Sequence, residues 1–231
     1  MNAQQPAAAP RSTPSRISAA QRVLEHLRSQ IIQAELKPGT LLLEPELAQQ
    51  YGVSKTPTRE ALQILVAEGL VTVIPRRGYY VSTVSFHDFR EAMELRLIIE
   101  PQLAALAAQR RTADVLRELR HHLDIQFDQA STLSARLEAA TLFHRTCVRA
   151  SENSLASSVV GSLFTAVQRL HHLNKGVESH LRSQGERDAH EAIFAAIRDQ
   201  DADLAQQLMH DHLVESNESL ARSFMGSRSE A

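Results

Sequence analysis

The stretch EPELAQQYGVSKTPTREALQILVAEGLVTVIPRRGYYV, residues 44–81, has the pattern of two short helices followed by a β-hairpin. Gly52 supplies the left-handed residue at which the first helix ends. Ser54 is placed to cap a second helix, which ends at Gly69. Residues 70–81 are typical of two strands that flank a basic turn. The pattern predicts a helix-turn-helix with a hairpin wing.

One face of the second helix carries cations and hydrogen-bond donors, because Lys55, Arg59 and Gln63 recur every four residues. Such a face suits phosphates and the base edges of the major groove. The arginines of the hairpin tip suit the DNA backbone or the minor groove. The candidate DNA-binding residues are Lys55, Thr56, Thr58, Arg59, Gln63, Arg76, Arg77 and Gly78.

The fold class expected for the whole chain is mainly α, with an N-terminal winged helix-turn-helix followed by an all-α antiparallel helical bundle. Residues 1–16 are rich in Ala, Pro, Gln and Ser and are expected to form a disordered tail. The winged helix is expected at 17–83, the helical effector-binding and dimerisation domain at 84–225, and a frayed tail at 226–231. The predicted helices of the rear lie near 86–109, 113–130, 134–151, 154–174, 183–199 and 201–224.

Charge is divided unevenly along the chain. Residues 1–83 hold nine Lys/Arg against six Asp/Glu, whereas residues 84–231 hold sixteen against twenty-one. This division suits a DNA-binding head joined to a body that does not touch DNA. The chain lacks an apolar run of membrane-spanning length, and Cys147 is its only cysteine. We therefore expect a cytoplasmic protein with no membrane partner.

Three of the eleven histidines fall on apolar helix faces, namely His144, His190 and His212. A buried imidazole is costly unless its nitrogens find partners. Three such residues from three helices of one bundle point to a common site for a metal or an anionic ligand. The helical stripes around them offer no Glu or Asp, and Cys147 is interpreted as a core thiol. Six other histidines sit among polar neighbours and are interpreted as solvent-exposed, namely His26, His87, His121, His122, His180 and His210.

The front of the chain resembles the winged helix of GntR-family transcription regulators. The matching residues are Leu47–Ala48, 52–62, Leu65, 68–71 and Arg77–Gly78. The resemblance implies that Lys55, Thr56, Arg59 and the wing contact operator DNA. Lys55 stands where many members of the family carry arginine.

The rear resembles the ligand-binding domain of the FadR subgroup of that family. The matching residues include Glu94–Arg96, Glu100–Pro101, Phe143–His144, His190–Ile193 and His212. The resemblance implies a divalent metal, often zinc or nickel, held by three histidines and an aspartate, with a small organic acid completing its coordination. Ala140 replaces that aspartate here, so a metal site and a metal-free pocket both remain open.

Arg96 matches an arginine that, in related domains, points into the pocket and can grip a carboxylate. The alternative is an ion pair with Glu94 or Glu100. The candidate effector-binding residues are Arg96, His144, His190 and His212, and the same three histidines are the candidate metal ligands. The expected effector is a small anionic metabolite, such as a dicarboxylate, a hydroxy acid or a sugar acid.

The resemblance implies a homodimeric repressor that binds a near-palindromic operator and responds to this effector. Two alternatives remain at this point. One is a metal-dependent hydrolase that uses the three histidines. The other is a DNA-binding protein whose helical domain only dimerises.

Overall fold

A computed structural model of the chain describes residues 18–173 and 177–226. The elements in chain order are α1 (Ala19–Ile32), β1 (Leu41–Leu42), α2 (Glu44–Tyr51), α3 (Lys55–Ala67), β2 (Val71–Ile74), β3 (Gly78–Val81), α4 (Phe86–Arg110), α5 (Ala113–Phe127), α6 (Leu133–Ala150), α7 (Ser154–Leu173), α8 (Val177–Leu181), α9 (Gln184–Arg198) and α10 (Ala202–Gly226). The predicted fold class, a winged helix followed by a helical bundle, is confirmed. The predicted tail at 1–16 lies outside the described residues, and so does the predicted C-terminal tail beyond the end of α10. None of the described helices is long and apolar enough to cross a membrane.

The helix-turn-helix forms where the sequence predicts it. Gly52 adopts a left-handed conformation with φ of 62°, and its N–H closes α2 on the carbonyls of Ala48 and Gln49. The second helix, α3, then buries Leu62 and Leu65 completely. These side chains pack against α1 in a core that belongs to the front of the chain. This packing leaves the opposite face of α3 exposed.

The wing is a three-stranded antiparallel sheet with the order β1-β3-β2. β2 pairs with β3 from Val71 opposite Val81 to Ile74 opposite Gly78. Arg76 lies in the turn between these strands with φ of 64°, a left-handed value that is uncommon outside glycine. The turn therefore presents the backbone and side chain of Arg76 at the tip of the hairpin.

The rear of the chain is a helical body with its own core. α4 continues through Pro101, as predicted, and packs along α10. The completely buried side chains at its centre include Phe89, Leu119, Phe143 and Ile193. Because these come from α4, α5, α6 and α9, the body holds several helices around one interior.

The short helix α8 is not predicted from the sequence. Its five residues are too few for a periodic apolar pattern to be recognised. It carries His180, whose side chain is only 13 % exposed, so the interpretation of this histidine as solvent-exposed is wrong. The same interpretation is wrong for His122, which is 7 % exposed on α5.

A capping box begins α4 at the junction between the two parts. The Asp88 amide donates to Ser85 Oγ at 3.1 Å, and the Ser85 amide donates to the Asp88 carboxylate at 2.7 Å. The pKa of Asp88 is lowered by its hydrogen bonds to Ser85. The box satisfies two backbone donors that the first helical turn leaves free.

We expect Ser85→Ala to lower the free energy of unfolding by about 1 kcal/mol, because it removes the acceptor for the Asp88 amide. Urea denaturation followed by circular dichroism measures the change. Ser29→Ala, at an exposed position of α1, is the control and should change stability by less than about 0.5 kcal/mol. Equal stabilities of the two variants would contradict the assigned cap.

Candidate nucleic-acid interface and histidine centre

The outward face of α3 carries Lys55, Thr56, Arg59 and Gln63, and all four residues are exposed. The exposed residues of the wing include Arg76 and Arg77, whereas Gly78 is half-buried. A Cβ atom at Gly78 would lie 3.4 Å from the side chains of Leu41 and Leu43, at and just after β1. The absence of a side chain at Gly78 therefore lets β3 pack closely against β1. The predicted contacts thus lie on two neighbouring surface elements.

Arg59 is held by an acidic residue at the start of α2. Its Nε lies 2.9 Å from Glu44 Oε1 and its Nη2 lies 2.8 Å from Glu44 Oε2. Tyr79 of β3 donates its hydroxyl to the same carboxylate at 3.3 Å, which ties the wing to both helices. The hydrogen bond from Arg59 is the main reason that the pKa of Glu44 is lowered. Arg59 remains 57 % exposed and keeps unused donors on its guanidinium.

Thr58 does not fit its predicted place among the DNA-binding residues. It is completely buried, and its hydroxyl donates to the Ser54 carbonyl at 3.2 Å. Thr58 faces inward because it shares the buried side of α3 with Ala61 and Leu62, three and four positions further along the helix. We therefore remove it from the candidate DNA-binding residues.

The three predicted histidines meet in the interior of the body. His144 lies on α6, His190 on α9 and His212 on α10, and all three are buried. Their Nε2 atoms form a nearly equilateral triangle, 3.3 Å between His144 and His190, 3.1 Å between His190 and His212, and 3.2 Å between His212 and His144. The convergence predicted from their apolar stripes is confirmed.

The second nitrogen of each ring faces an acceptor. His144 Nδ1 lies 2.8 Å from Glu100 Oε2, and His190 Nδ1 lies 2.8 Å from Gln126 Oε1. His212 Nδ1 lies 3.8 Å from Glu186 Oε2, a longer contact. The Gln126 amide nitrogen donates to Glu186 Oε1 at 3.3 Å, which fixes the Gln126 oxygen toward His190. A proton on Nδ1 of His144 or His190 is donated to the acceptor that faces it, and the Nε2 atoms of the three rings point at one another.

Protonation does not relieve this crowding at neutral pH. Burial, reinforced by the neighbouring His144, lowers the pKa of His190 to about 3 although Glu186 opposes the shift. Burial also lowers the pKa of His212 well below its usual value. Both rings are therefore neutral at pH 7, and their lone pairs are available to a cation.

The donor set fits a divalent metal. Tetrahedral coordination with Zn–N bonds of about 2.0–2.1 Å sets nitrogen atoms roughly 3.3–3.4 Å apart, close to the observed triangle. The hydrogen bonds that join Nδ1 of His144 to Glu100 and Nδ1 of His190 to Gln126 are the outer contacts that metal-bound imidazoles usually make. The residues that could hold the ion are His144, His190 and His212. Cys147 is buried in the core, where burial raises the pKa of its thiol, in agreement with the predicted role.

The expectation that no carboxylate accompanies these histidines is wrong. Glu100 from α4 and Glu186 from α9 are both buried and both contact imidazoles of the group. Glu186 precedes His190 by four residues, so the sequence did contain a signal for it. Burial raises the pKa of Glu100, but Arg96 and His144 outweigh it and hold that pKa at about 2.

Arg96 lies beside the histidines and is only 6 % exposed. It forms the ion pair with Glu100 that was the alternative expectation, and it also lines a small cavity with His144 and His212. The predicted contact of Arg96 with an effector stays a prediction. That cavity has a volume of about 40 Å³, and Phe164 packs against the guanidinium with 5.1 Å from Arg96 Cζ to the ring centroid. The Arg96–Glu100–His144 chain thus connects the cavity to the triangle of Nε2 atoms.

Two domain families match this chain. Residues 19–81 match the family described as "Bacterial regulatory proteins, gntR family", and residues 91–215 match the FCD domain. The chain is 29% identical over 206 residues to the HTH-type transcriptional repressor RspR of Escherichia coli strain K12, covering 87% of this chain and 88% of that one. It is 34% identical over 188 residues to an uncharacterized HTH-type transcriptional regulator in an unstable DNA locus of Streptomyces ambofaciens, covering 81% and 78%. The solved structure of E. coli McbR/YncC superposes with a TM-score of 0.73 at 23% identity, over 90% of this chain and 100% of that one.

The fold and the site define a winged-helix DNA-binding regulator with a helical effector-binding body, and not an enzyme. The chain belongs to the GntR family of bacterial transcription regulators, in the part of the family that carries an FCD domain. The hydrolase alternative is not supported, because the relatives are transcription regulators.

We expect acid to destabilise the metal-free protein through His190. Its pKa is lowered in the folded state, so stability is present above the ordinary histidine pKa and is lost as pH falls toward about 3. Between pH 6.5 and pH 5 the unfolded chain alone takes up this proton, which amounts to roughly 2 kcal/mol. Urea titrations at both pH values, with chelator present, measure the difference between wild type and His190→Gln.

The variant should lose correspondingly less stability over this interval. His210→Gln, which changes an exposed histidine of α10, is the control and should retain the wild-type dependence. A His190→Gln protein with the full wild-type pH dependence would show that this ring is not the group responsible.

Proposed function

We propose that this protein is a repressor that binds a near-palindromic operator as a homodimer and is modulated by a small organic acid. In this proposal residues 17–83 read DNA, and residues 84–225 bind the effector and dimerise. We place the protein in the cytoplasm, where it has access to bacterial DNA. The observation that carries the proposal is the exposed cationic face of α3 on a GntR-type winged helix.

The proposed DNA contacts are the predicted residues whose side chains are exposed, together with Gly78, which would contribute its backbone in the wing. They are Lys55, Thr56, Arg59, Gln63, Arg76, Arg77 and Gly78. α3 would lie in the major groove and the arginines of the turn would meet phosphates or the minor groove. The bidentate geometry that Arg59 shows with Glu44 is the same fork that guanine O6 and N7 accept.

A second copy of the chain is the expected partner of an exposed apolar surface on the body. Ile98 of α4 is 69% exposed, and Leu155 and Val159 of α7 are 79% and 55% exposed. α4 and α7 pack together, so these side chains lie on neighbouring helices. Dimerisation through them would bury an apolar surface and present two recognition helices to one operator.

We expect Arg59→Ala to weaken operator binding by roughly 1–3 kcal/mol, because a base-reading fork is lost. The operator is first selected from random duplex DNA with the wild-type protein, and affinities are then measured by fluorescence anisotropy. Arg117→Ala is the matched control, because Arg117 is an exposed arginine of α5 with an acidic partner. Equal affinity of wild type and Arg59→Ala would contradict the proposed docking.

The effector site proposed is the histidine group together with Arg96. A zinc or nickel ion on His144, His190 and His212 would act as the electrophilic contact for a carboxylate, and Arg96 would be its second contact. The cavity of about 40 Å³ holds only a few waters. A larger acid therefore binds only if the helices move, and this difference between states can be coupled to DNA binding.

We expect Zn²⁺ to raise the melting temperature of chelator-treated protein, because three preformed ligands bind the folded state alone. His212→Gln should remove most of the shift. Ala140→Asp should tighten zinc binding, because it returns a carboxylate one helical turn before His144. Differential scanning fluorimetry and competition with a chelator measure both effects.

Leu142→Asp is the control for added charge, since Leu142 lies on the exposed side of the same helix. It should leave zinc affinity unchanged. If zinc and a panel of organic acids both leave the melting temperature of wild type unaltered, the body serves dimerisation alone and the effector proposal is wrong.

A further inference from the structure

A cavity of about 690 Å³ lies between the winged helix and the helical body. α1 and α3 supply one wall, with Arg28 and Ala67, and α6 and α7 supply the other, with Arg145 and Ser162. Its volume falls within the range of about 300–1,000 Å³ that is usual for small-molecule sites. It does not share lining residues with the histidine cavity except Thr141.

The cavity is lined by two arginines and two glutamates, Arg28, Arg145, Glu68 and Glu138, but Arg145 is not paired with either carboxylate. Arg145 is half-buried, and its Nε has no hydrogen-bond partner. Its Nη2 lies 3.3 Å from the Gly161 carbonyl and 3.4 Å from Thr165 Oγ1, which are long contacts. Within residues 18–173 and 177–226 it has no acidic partner at ion-pair distance, whereas Arg28 in the opposite wall is paired with Glu68.

Burial without a counter-ion has a measurable consequence for Arg145. Desolvation lowers the pKa of its guanidinium, which remains charged at pH 7. A partly desolvated guanidinium is stabilised by an anion that offers two acceptor oxygens. Arg145 therefore supplies the attractive group that an anionic occupant of the cavity needs.

The α7 wall leaves room for such an occupant. Gly161 lies in the middle of α7, and a Cβ atom built on it would meet nothing within 4 Å. Glycine in a helix interior is less favourable than alanine, and packing within the protein does not require it here. Ser158, Ser162 and Thr165 line the same wall and carry hydroxyl groups. The α7 wall therefore carries short, polar side chains and leaves space in front of Gly161.

We propose that this interdomain cavity is a second ligand site. It binds an organic anion whose charged group contacts Arg145 and whose remaining polar atoms lie against α7. The recognised group is a carboxylate or a phosphate, since both present the paired oxygens that a guanidinium binds. An occupant touches α1 and α3 as well as α6 and α7, so it stabilises one placement of the DNA-binding part on the body. This gives the chain an input that is separate from the histidine group.

The first test uses the full chain carrying His190→Gln, treated with chelator, so that the histidine group does not take up metal. Inorganic phosphate, glycerol 3-phosphate and citrate are titrated by calorimetry at constant ionic strength. We expect at least one probe to bind with a dissociation constant below about 1 mM, and the stronger class identifies the recognised group. Arg145→Gln should weaken binding at least tenfold.

Arg149→Gln is the matched control, because Arg149 lies one turn further along α6 and is exposed and paired with Glu118. It should alter binding by less than twofold. If none of the probes binds below about 10 mM, or if both arginine variants weaken binding equally, the proposal is overturned.

A second pair of variants tests the site without changing charge. Gly161→Ala should keep binding and melt at the same or a higher temperature, because alanine favours the helix and meets open space. Gly161→Leu should fold as well but lose binding at least tenfold, because its side chain projects into the cavity. Undiminished binding by Gly161→Leu would overturn the proposal. These results do not depend on operator binding by Arg59 or on metal binding by the histidines.

Discussion

Three imidazole Nε2 atoms meet in the interior of the body, and the other nitrogen of each ring faces an acceptor side chain. Glu100, Gln126 and Glu186 supply these acceptors from α4, α5 and α9. Burial lowers the pKa of His190 and of His212, so these two rings turn unprotonated Nε2 atoms toward His144. The positions of five helices, α4, α5, α6, α9 and α10, are thus tied to one small group of atoms.

The buried charges around this group are balanced by one another. Arg96 neutralises Glu100, and His180 of α8 lies 3.2 Å from Glu186. Removing one member of such a pair leaves an uncompensated buried charge, which is usually more costly than the pair itself is favourable. The arrangement explains why residues that look polar in the sequence, such as His180, are enclosed by the fold.

Much of this protein can be predicted from its sequence, for identifiable physical reasons. Gly52 and the apolar spacing of α3 locate the helix-turn-helix, and the inward spacing of His144, His190 and His212 predicts their meeting. Periodicity reports the face on which a residue lies but not its partners on other helices. For this reason Glu100 was not connected with His144.

Other features are not predicted from the sequence because their signals are short or because residue polarity points the other way. α8 has five residues, too few to show a period. The buried side of α3 includes Thr58, a polar residue whose hydroxyl is satisfied by the Ser54 carbonyl, so polarity alone suggested exposure. Glu186 stood four residues before His190 and was detectable. The cavity at Arg145 arises between separate parts of the chain, and local sequence carries no record of it.

The clasp between Glu44 and Arg59 has a consequence for how the head distinguishes nucleic acids. A carboxylate beside Arg59, the recognition arginine of the proposed docking, repels every phosphate that approaches, whatever the base sequence. Exposed ion pairs are worth only about 0–1 kcal/mol, so a well-placed guanine edge can displace it. Until then the clasp keeps the long side chain in one rotamer, which reduces the entropy lost on docking. In the proposed docking, random stretches of chromosome are therefore disfavoured, whereas the correct site meets an Arg59 side chain whose rotamer is already fixed.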